Sequence, residues 1–404
     1  MSHSEYKIYP LLLLGFFRVA NIVIINLAIP IFFFQIGYNP GLIGIISAAM
    51  NFVYIFSPVI FKNIPKKIGN KTSLIICIGG ITAGQIIYQF TANPYAFLAL
   101  RLFEGLMLGL FWPVLNSSLS ILTALKSSDK KTNDEDLLQN KLIRKYSLSW
   151  NLGSVFSFLL GSFLLFFIAD INLMFDISLV YMLICLVLTF LFQEPEKPKS
   201  GNKDLSSSKR PRNGIKELNK IYFPVILPFF IILIYGFLEH ANGLIYPIKY
   251  ETLGFPLFFN YLSSFILITC QTIFTYKGMS VSLKNLKKLA FVCIGTLSGV
   301  LITLGFNSNM LLFLILFGLF GTSLALLYCF SFKMIILRNI LEDTSKYGFY
   351  FETFISLSFF MGTFLGGIFA DIGLTIAYLI LSVIATLTFI GYFSVQKKMK
   401  FKQE

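Results

Sequence analysis

The stretch from residue 145 to residue 173, KYSLSWNLGSVFSFLLGSFLLFFIADINL, has a counterpart at residues 346–374, KYGFYFETFISLSFFMGTFLGGIFADIGL. The two align without gaps and agree at eleven of 29 positions, including a Lys-Tyr start and an Ala-Asp-Ile-x-Leu end. Each contains an apolar run of about 20 residues, the length of α-helix that crosses a hydrocarbon core of ~30 Å. Because the same polar residues bracket both runs, we interpret them as equivalent membrane spans of a duplicated unit.

Apolar runs of this length recur along the whole chain. Its 404 residues are 56% hydrophobic and 13% charged, with a mean hydropathy of +0.77, whereas a soluble domain carries roughly 25% charged residues. The sequence therefore predicts an all-α membrane protein with no room for a sizeable soluble domain. The runs and the residues that break them predict twelve spans, which cover residues 8–35, 41–61, 72–91, 95–124, 146–168, 173–193, 222–248, 255–276, 289–306, 309–336, 347–369 and 373–395.

The positive charges fall on one side of these spans. Of the 33 Lys and Arg residues, 30 lie in the termini and the even-to-odd loops, Lys249 lies on the opposite side, and Arg18 and Arg101 lie inside spans. Cytoplasmic loops collect Lys and Arg, so we expect a multi-pass protein of the cell membrane with both termini in the cytoplasm. This topology explains the net charge of +14 without nucleic acid, and it predicts anionic membrane lipid as a partner.

The domain organisation follows from one polar segment and from the repeat. Residues 196–220 are basic and rich in Ser and Pro, which predicts a cytoplasmic linker loop that does not fold alone. The linker separates six spans in residues 1–195 from six in residues 221–404. Two six-helix bundles of the same orientation are the parallel-repeat arrangement of transporters, in which solute binds near the bilayer midplane.

The most specific motif is in span 4, where residues 101–113 read RLFEGLMLGLFWP. An Arg followed by two glycines four residues apart resembles the fourth-helix motif of the major facilitator superfamily, and the similarity to that family covers the whole chain. The sequence FFFQIGYNPGLIG after Pro30 also resembles the helix 1 to helix 2 junction of its drug-exporter-like branches. The resemblance implies the fold of that family and transport of a small organic solute by rocking of two halves, with a slight preference for efflux.

The loop between spans 2 and 3, KNIPKKIGNK, resembles a degraded copy of the same family's gating-loop motif. It keeps Lys67, Gly69 and Lys71, whereas Lys66 stands where the motif has an Asp. In the family that Asp takes part in a conformational charge contact. Its replacement keeps a second hypothesis open, in which the chain is a non-transporting sensor or scaffold related to the family.

Polar and ionisable side chains inside spans are costly in lipid and usually face a cavity or a partner. At about 100° per residue, Arg101, Glu104, Trp112 and Asn116 share one face of span 4. This face is either the wall of a solute cavity or an Arg–Glu pair that neutralises itself, and we favour the cavity. Spans 1, 7, 8 and 10 predict further substrate-binding residues at Arg18, Asn21, Asn26, Tyr235, Asn242, Tyr246, Asn260, Gln271 and Tyr328.

Three carboxyl groups in the spans are candidates for proton coupling: Glu104, Glu239 and Glu352. Glu239 has no cation on its own helix face, and a carboxyl desolvated in this way can load and release a proton. Glu352 lies near the cytoplasmic end of span 11, where a contact with a loop Lys would serve as a gate equally well.

The alternative of a membrane-embedded enzyme lacks sequence support. The chain has two His residues, no paired-Cys motif and none of the common nucleophile or phosphate-binding motifs. We therefore expect neither enzymatic activity nor a metal or other cofactor, and we expect a monomer.

Overall fold

The computed structural model describes residues 8–129, 135–194, 223–341, 346–396 and 399. Every regular element in these ranges is an α-helix, and twelve helical segments among them are long and apolar enough to cross a membrane. The predicted all-α fold class and the predicted number of spans are therefore confirmed. The helices are α1 (Tyr9–Gln35), α2 (Pro40–Tyr54), α3 (Ser57–Phe61), α4 (Ile64–Ile68), α5 (Asn70–Tyr88), α6 (Pro94–Asp129), α7 (Glu135–Phe167), α8 (Asn172–Leu191), α9 (Ile226–Thr252), α10 (Leu257–Gly278), α11 (Leu283–Phe306), α12 (Met310–Leu341), α13 (Lys346–Ile372) and α14 (Leu374–Gln396).

Proline and capping residues set several of the helix ends. Helix α2 begins at Pro40, whose missing N–H costs nothing in a first turn, and the side chain of Asn39 accepts the N–H of Leu42 at 2.8 Å. Span 2 is confirmed as one apolar segment, Pro40–Phe61, although within it α2 ends at Tyr54 and α3 begins at Ser57. Pro58 has no N–H to donate to the carbonyl of Tyr54, so the helix is interrupted there and a new one starts.

Some predicted span limits were wrong by several residues. Span 9 was expected to begin at residue 289, but α11 begins at Leu283 because Ser282 caps it through the N–H of Asn285 at 3.4 Å. Its first turns contain lysines, whose long stems follow an apolar surface while their charges remain in water. Helix α9 continues through Pro247 to Thr252, four residues beyond the predicted end.

The first of two compact units contains the described residues of Met1–Pro198 together with Tyr246–Phe265. In it α1 packs against α7 and α8, α5 packs against α6 and α8, and α2 and α3 pack against α6. Small residues permit these contacts: a Cβ on Gly105 would lie 2.2 Å from the carbonyl oxygen of Met50, and one on Gly153 would lie 2.3 Å from that of Phe16. Close backbone approach at glycine is typical of helix packing in membranes.

The second unit contains the described residues of Lys199–Ile245 and Ile266–Glu404. Here α11 packs against α12 and α14, just as α5 packs against α6 and α8 in the first unit. Spans 3 and 9 therefore occupy equivalent positions in their own units, as the repeat requires. The predicted linker, residues 196–220, lies outside the described residues.

Candidate functional site

A buried ion pair on α6 is the centre of a polar network inside the first unit. Arg101 Nη1 lies 2.7 Å from Glu104 Oε2, and the two residues are 2% and 1% exposed. The other carboxylate oxygen of Glu104 accepts a hydrogen bond from Gln85 Nε2 at 2.6 Å. Arg101 Nη2 donates to Asn26 Oδ1 at 2.5 Å. The pair is thus neutral overall, and neutral amides on α1 and α5 hold it in place.

The network continues from Gln85 across to α8 and back to α1. Ser178 donates its hydroxyl proton to Gln85 Oε1 at 2.8 Å. Asn21 Nδ2 donates to the carbonyl of Ser178 at 3.1 Å and also to its hydroxyl. Arg18 Nη1 donates in turn to Asn21 Oδ1. Seven side chains from four helices therefore form one connected chain: Asn26, Arg101, Glu104, Gln85, Ser178, Asn21 and Arg18.

The arginines of this network keep unused hydrogen-bond donors. Arg18 is 1% exposed, and its Nε and Nη2 have no hydrogen-bond partner among the described residues; the same holds for Arg101 Nε. A buried donor without a partner costs about 1–3 kcal/mol, and more when the group is charged. An acceptor on a bound solute would satisfy these donors. The guanidinium of Arg18 is therefore the most incompletely satisfied cation in the network.

Trp112 and Asn116, which were also predicted on this face of span 4, lie in different surroundings from Arg101 and Glu104. Trp112 packs on the apolar core of the first unit with its ring 4.9 Å from that of Phe111, and Asn116 is exposed. Trp112 lies eleven residues beyond Arg101, roughly 16 Å along the helix axis. The network therefore includes only the Arg101 and Glu104 end of that face.

A second polar cluster lies in the second unit, on α9 and α10. Gln271 Nε2 donates to Tyr235 Oη at 2.8 Å, and both side chains lie beside the carboxyl group of Glu239. The ring of Tyr328 from α12 lies 5.7 Å from that of Tyr235. Glu239 is half-buried, and no Lys or Arg in the described ranges forms an ion pair with it. The polar groups beside it are a phenol and an amide, both neutral.

The remaining predicted residues of α9 lie in different contacts. Asn242 is buried and accepts a hydrogen bond at Oδ1 from Tyr378 Oη of α14 at 3.0 Å. Tyr246 belongs to the first unit, where its hydroxyl lies 2.5 Å from Ser264 Oγ and donates to the carbonyl of Asn260 at 3.2 Å. The predicted α9 face is therefore divided among three sets of partners rather than lining one site.

Glu352 lies at the start of the membrane span of α13 and is exposed. Within the described part of the chain it forms no ion pair. Its carbonyl accepts the hydroxyl of Ser356 at 3.0 Å, as is common for serine in a helix.

The predicted gating loop is ordered around α4 and the start of α5. Gly69 ends α4 with φ +88°, a backbone conformation that favours glycine. The carboxylate of Glu194, just beyond α8, accepts the N–H of Asn70 at 2.7 Å and that of Lys71 at 3.2 Å. Lys71 Nζ donates to the carbonyl of Phe190 at 2.8 Å, whereas Lys67 is exposed. The loop is thus attached to the end of α8 by a carboxylate at a helix N-terminus.

Three residues of these contacts were missed in the sequence: Gln85, Ser178 and Glu194. Gln85 and Ser178 are neutral, so they lack the insertion cost that makes a charged residue in a span conspicuous. Gln85 interrupts the apolar run of span 3, and that was the available signal. The described ranges contain no group of three His, Cys, Asp or Glu side chains that could hold a metal ion.

Comparison with known proteins identifies the fold to which this architecture belongs. A family model described as Major Facilitator Superfamily matches residues 11–340. Among solved structures, the nucleoside transporter NupG is 12% identical, with 98% of this chain and 99% of its own covered, and has a TM-score of 0.69.

Two further structures give a similar result. A bacterial homolog of the human lysosomal transporter Spinster is 10% identical over 99% of this chain and 100% of its own, with a TM-score of 0.70. A POT family transporter in complex with a thioalcohol conjugated peptide is 13% identical over 97% of this chain and 96% of its own, also with a TM-score of 0.70. No curated protein matches the sequence.

Proposed function

The chain belongs to the major facilitator superfamily, and from that premise we propose that it moves a small polar organic solute by alternating access, coupled to protons through Glu239. The family and the transporter structures that it resembles make it a multi-pass secondary transporter and not an enzyme. The solute, the coupling ion and the direction are the proposed parts.

The observation that carries the proposal is the setting of Glu239. Its carboxyl group is half-buried in a membrane span and lies beside Tyr235 and Gln271, with no ion pair in the described ranges. A carboxylate in such a place costs several kcal/mol unless it is paired or protonated. Because Tyr235 can donate to the charged form and Gln271 can accept from or donate to the carboxyl group, both protonation states have partners. Glu239 can therefore exchange a proton without rearrangement of its surroundings.

Glu104 has the opposite setting, so we assign it to charge balance. Its carboxylate is buried, paired with Arg101 at 2.7 Å and hydrogen-bonded to Gln85 at 2.6 Å. Protonation of Glu104 would leave the guanidinium of Arg101 buried without its counter-ion, which is strongly unfavourable. The exposed Glu352 stays a candidate gate residue.

We propose that Arg18 recognises the solute. Its unused Nε and Nη2 donors match a carboxylate, phosphate or carbonyl oxygen. Asn21 orients the guanidinium by accepting a hydrogen bond from Nη1, and the rest of the polar network holds Asn21 in place. The solute is then an anionic or carbonyl-bearing metabolite, and an Arg18→Met variant loses affinity for it.

Several wider proposals accompany this assignment. We propose that the chain works as a monomer in the cell membrane with cytoplasmic termini, and that residues 1–195 and 221–404 are the two halves that rock. The predicted topology places nearly all Lys and Arg residues on the same side as the termini, and this supports cytoplasmic termini. Export is the proposed direction, on the basis of the helix 1 to helix 2 junction.

The experiment is solute flux in proteoliposomes with and without a proton gradient. A thermal-shift screen of the purified protein first selects solutes, and it includes nucleosides and short peptides because proteins of similar fold are described as handling them. Wild type, Glu239→Gln, Glu104→Gln and Glu352→Gln are then compared. We expect the gradient to stimulate flux in the wild type and in Glu352→Gln but not in Glu239→Gln.

Counterflow of labelled solute without a gradient separates coupling from folding. We expect Glu239→Gln to keep counterflow, since exchange needs no net proton movement. Gradient-stimulated flux that survives in Glu239→Gln would remove Glu239 from the mechanism. Binding of solutes without any flux in the wild type would instead favour the sensor or scaffold hypothesis that Lys66 in the gating loop keeps open.

A further inference from the structure

A pocket lies in the first unit, away from the network and next to the gating loop. It has a volume of about 180 Å³ and lies between the loop that connects α3 to α5 and the middle of α6. The polar side chains that line it come from Lys62, Lys66, Asn70 and Ser117, and Gly109 and Pro113 of α6 also line it. None of these residues belongs to the proposed solute site.

Helices α3 and α6 touch closely beside the pocket. A Cβ on Gly109 would lie 2.3 Å from Ser57 Oγ, and that hydroxyl donates to the carbonyl of Gly105 at 2.9 Å. One turn later Pro113 lies inside α6, and a proline in a helix leaves the carbonyl four residues earlier, here that of Gly109, without its usual donor. The proline therefore adds polarity to the wall of the pocket.

Two uncompensated positive charges stand at this pocket. Lys62 and Lys66 are exposed, and neither forms an ion pair or a hydrogen bond with any residue in the described ranges. Glu194 contacts the same loop through the backbone N–H groups of Asn70 and Lys71 and forms no ion pair with either lysine.

Neutral donors complete the lining. Asn70 is 6% exposed, and its amide is held in place by a hydrogen bond from Nδ2 to Ser118 Oγ at 3.2 Å. The hydroxyl of Ser117 is a further donor. The lining includes no carboxylate, so the pocket excludes cations and favours a compact anion with several acceptor oxygens.

We propose that this pocket binds a phosphate group, held by Lys62 and Lys66 at its rim and by neutral donors at its wall. The phosphate belongs either to the headgroup of an anionic phospholipid or to a soluble phosphate ester. Basic pockets between helices at a membrane surface are suited to lipid headgroups.

Native mass spectrometry of the full-length protein in detergent tests the lipid source. Phosphatidylglycerol and phosphatidylcholine are added separately to the wild type, to Lys62→Gln with Lys66→Gln, and to the control Lys67→Gln with Lys277→Gln. Both double variants remove two exposed positive charges, but only the first pair lines the pocket. We expect preferential retention of phosphatidylglycerol by the wild type, a loss of about tenfold in the pocket variant, and retention in the control.

Calorimetric titration of the delipidated protein with inorganic phosphate, against sulfate, tests the soluble source. Saturable phosphate binding that the pocket variant loses assigns the site to soluble phosphates; lipid retention without phosphate binding assigns it to headgroups. A third variant, Ser117→Phe, fills the pocket and leaves both lysines, so it should show the same loss even if the double variant folds poorly. The proposal is overturned if both double variants lose lipid equally, or if neither lipid nor phosphate binds in a pocket-dependent manner.

Discussion

Removal of one member of the Arg101–Glu104 pair should destabilise the first unit strongly. Each residue is at most 2% exposed, so Glu104→Leu leaves a buried guanidinium whose Nη1 has lost its counter-ion. Breaking a buried pair from one side costs about 3–5 kcal/mol. Arg101→Leu should cost a similar amount because it leaves a buried carboxylate held only by Gln85. If the two effects were independent, their sum would be about 6–10 kcal/mol.

The double variant should cost much less than that sum. It leaves no buried charge, and the neutral amides of Asn26 and Gln85 each lose one partner, at about 1–3 kcal/mol each. We therefore expect the loss of unfolding free energy in the double variant to be smaller than the sum of the two single losses by about 3 kcal/mol, the upper end of the coupling measured for residues in direct contact.

Unfolding by SDS titration, followed by tryptophan fluorescence, measures these free energies in the relevant part of the molecule. The chain has two tryptophans, Trp112 and Trp150, and both lie in helices of the first unit. Glu352→Gln on α13 is the control, and as an exposed substitution it should change the value by less than about 0.5 kcal/mol. Additive effects of the two single variants would show that the residues are stabilised separately and would refute the network.

Three further predictions concern contacts of the first unit. Gly105→Ala should prevent folding or cost several kcal/mol, because its Cβ would lie 2.2 Å from a backbone carbonyl oxygen of α2, whereas Gly84→Ala, with its nearest atom at 3.8 Å, should be tolerated; expression and monodispersity in detergent compare them. Gly69→Ala should destabilise more than Gly37→Ala in SDS titrations. Both glycines have φ near +90°, so the backbone strain is similar. A Cβ on Gly37 has no atom within 4 Å in the described structure, whereas one on Gly69 lies 3.0 Å from a carboxylate oxygen. Ser178→Ala should cost about 1–3 kcal/mol by the same titration and should weaken solute binding, since it disconnects the Arg18 half of the network; unchanged stability would show that the short contacts at Ser178 contribute nothing.

The membrane spans could be predicted because hydropathy depends on composition alone. Lipid excludes charged side chains wherever the helices pack, so apolar runs between basic loops identified twelve spans correctly. Helix ends were harder to predict because local hydrogen bonds determine them. Ser282 extends α11 into a basic segment, and Pro58 divides span 2. Neither effect can be read from hydropathy, on which the predicted limits depended.

The polar sites could be predicted only in part because a helix face does not identify its neighbour. Arg18 and Arg101 stood out by their charge, but their connection runs through Gln85 and Ser178, which have no comparable signal in one sequence. Periodicity grouped Tyr235 and Tyr246 on one face of α9, yet they lie in different units. Which face meets which helix is a property of tertiary packing, and a single span does not contain that information.

The hydrogen-bonded chain from Asn26 to Arg18 also has a mechanical consequence. Helices α1, α5, α6 and α8 each contribute at least one side chain to it, so a shear of any one helix past the others would break a buried hydrogen bond. Breaking a buried hydrogen bond in an interior without water costs more free energy than the thermal energy available at room temperature. The four helices should therefore move as a single rigid body, and elastic deformation during a working cycle should concentrate outside that body, at the turn between Tyr54 and Ser57 where span 2 is already interrupted.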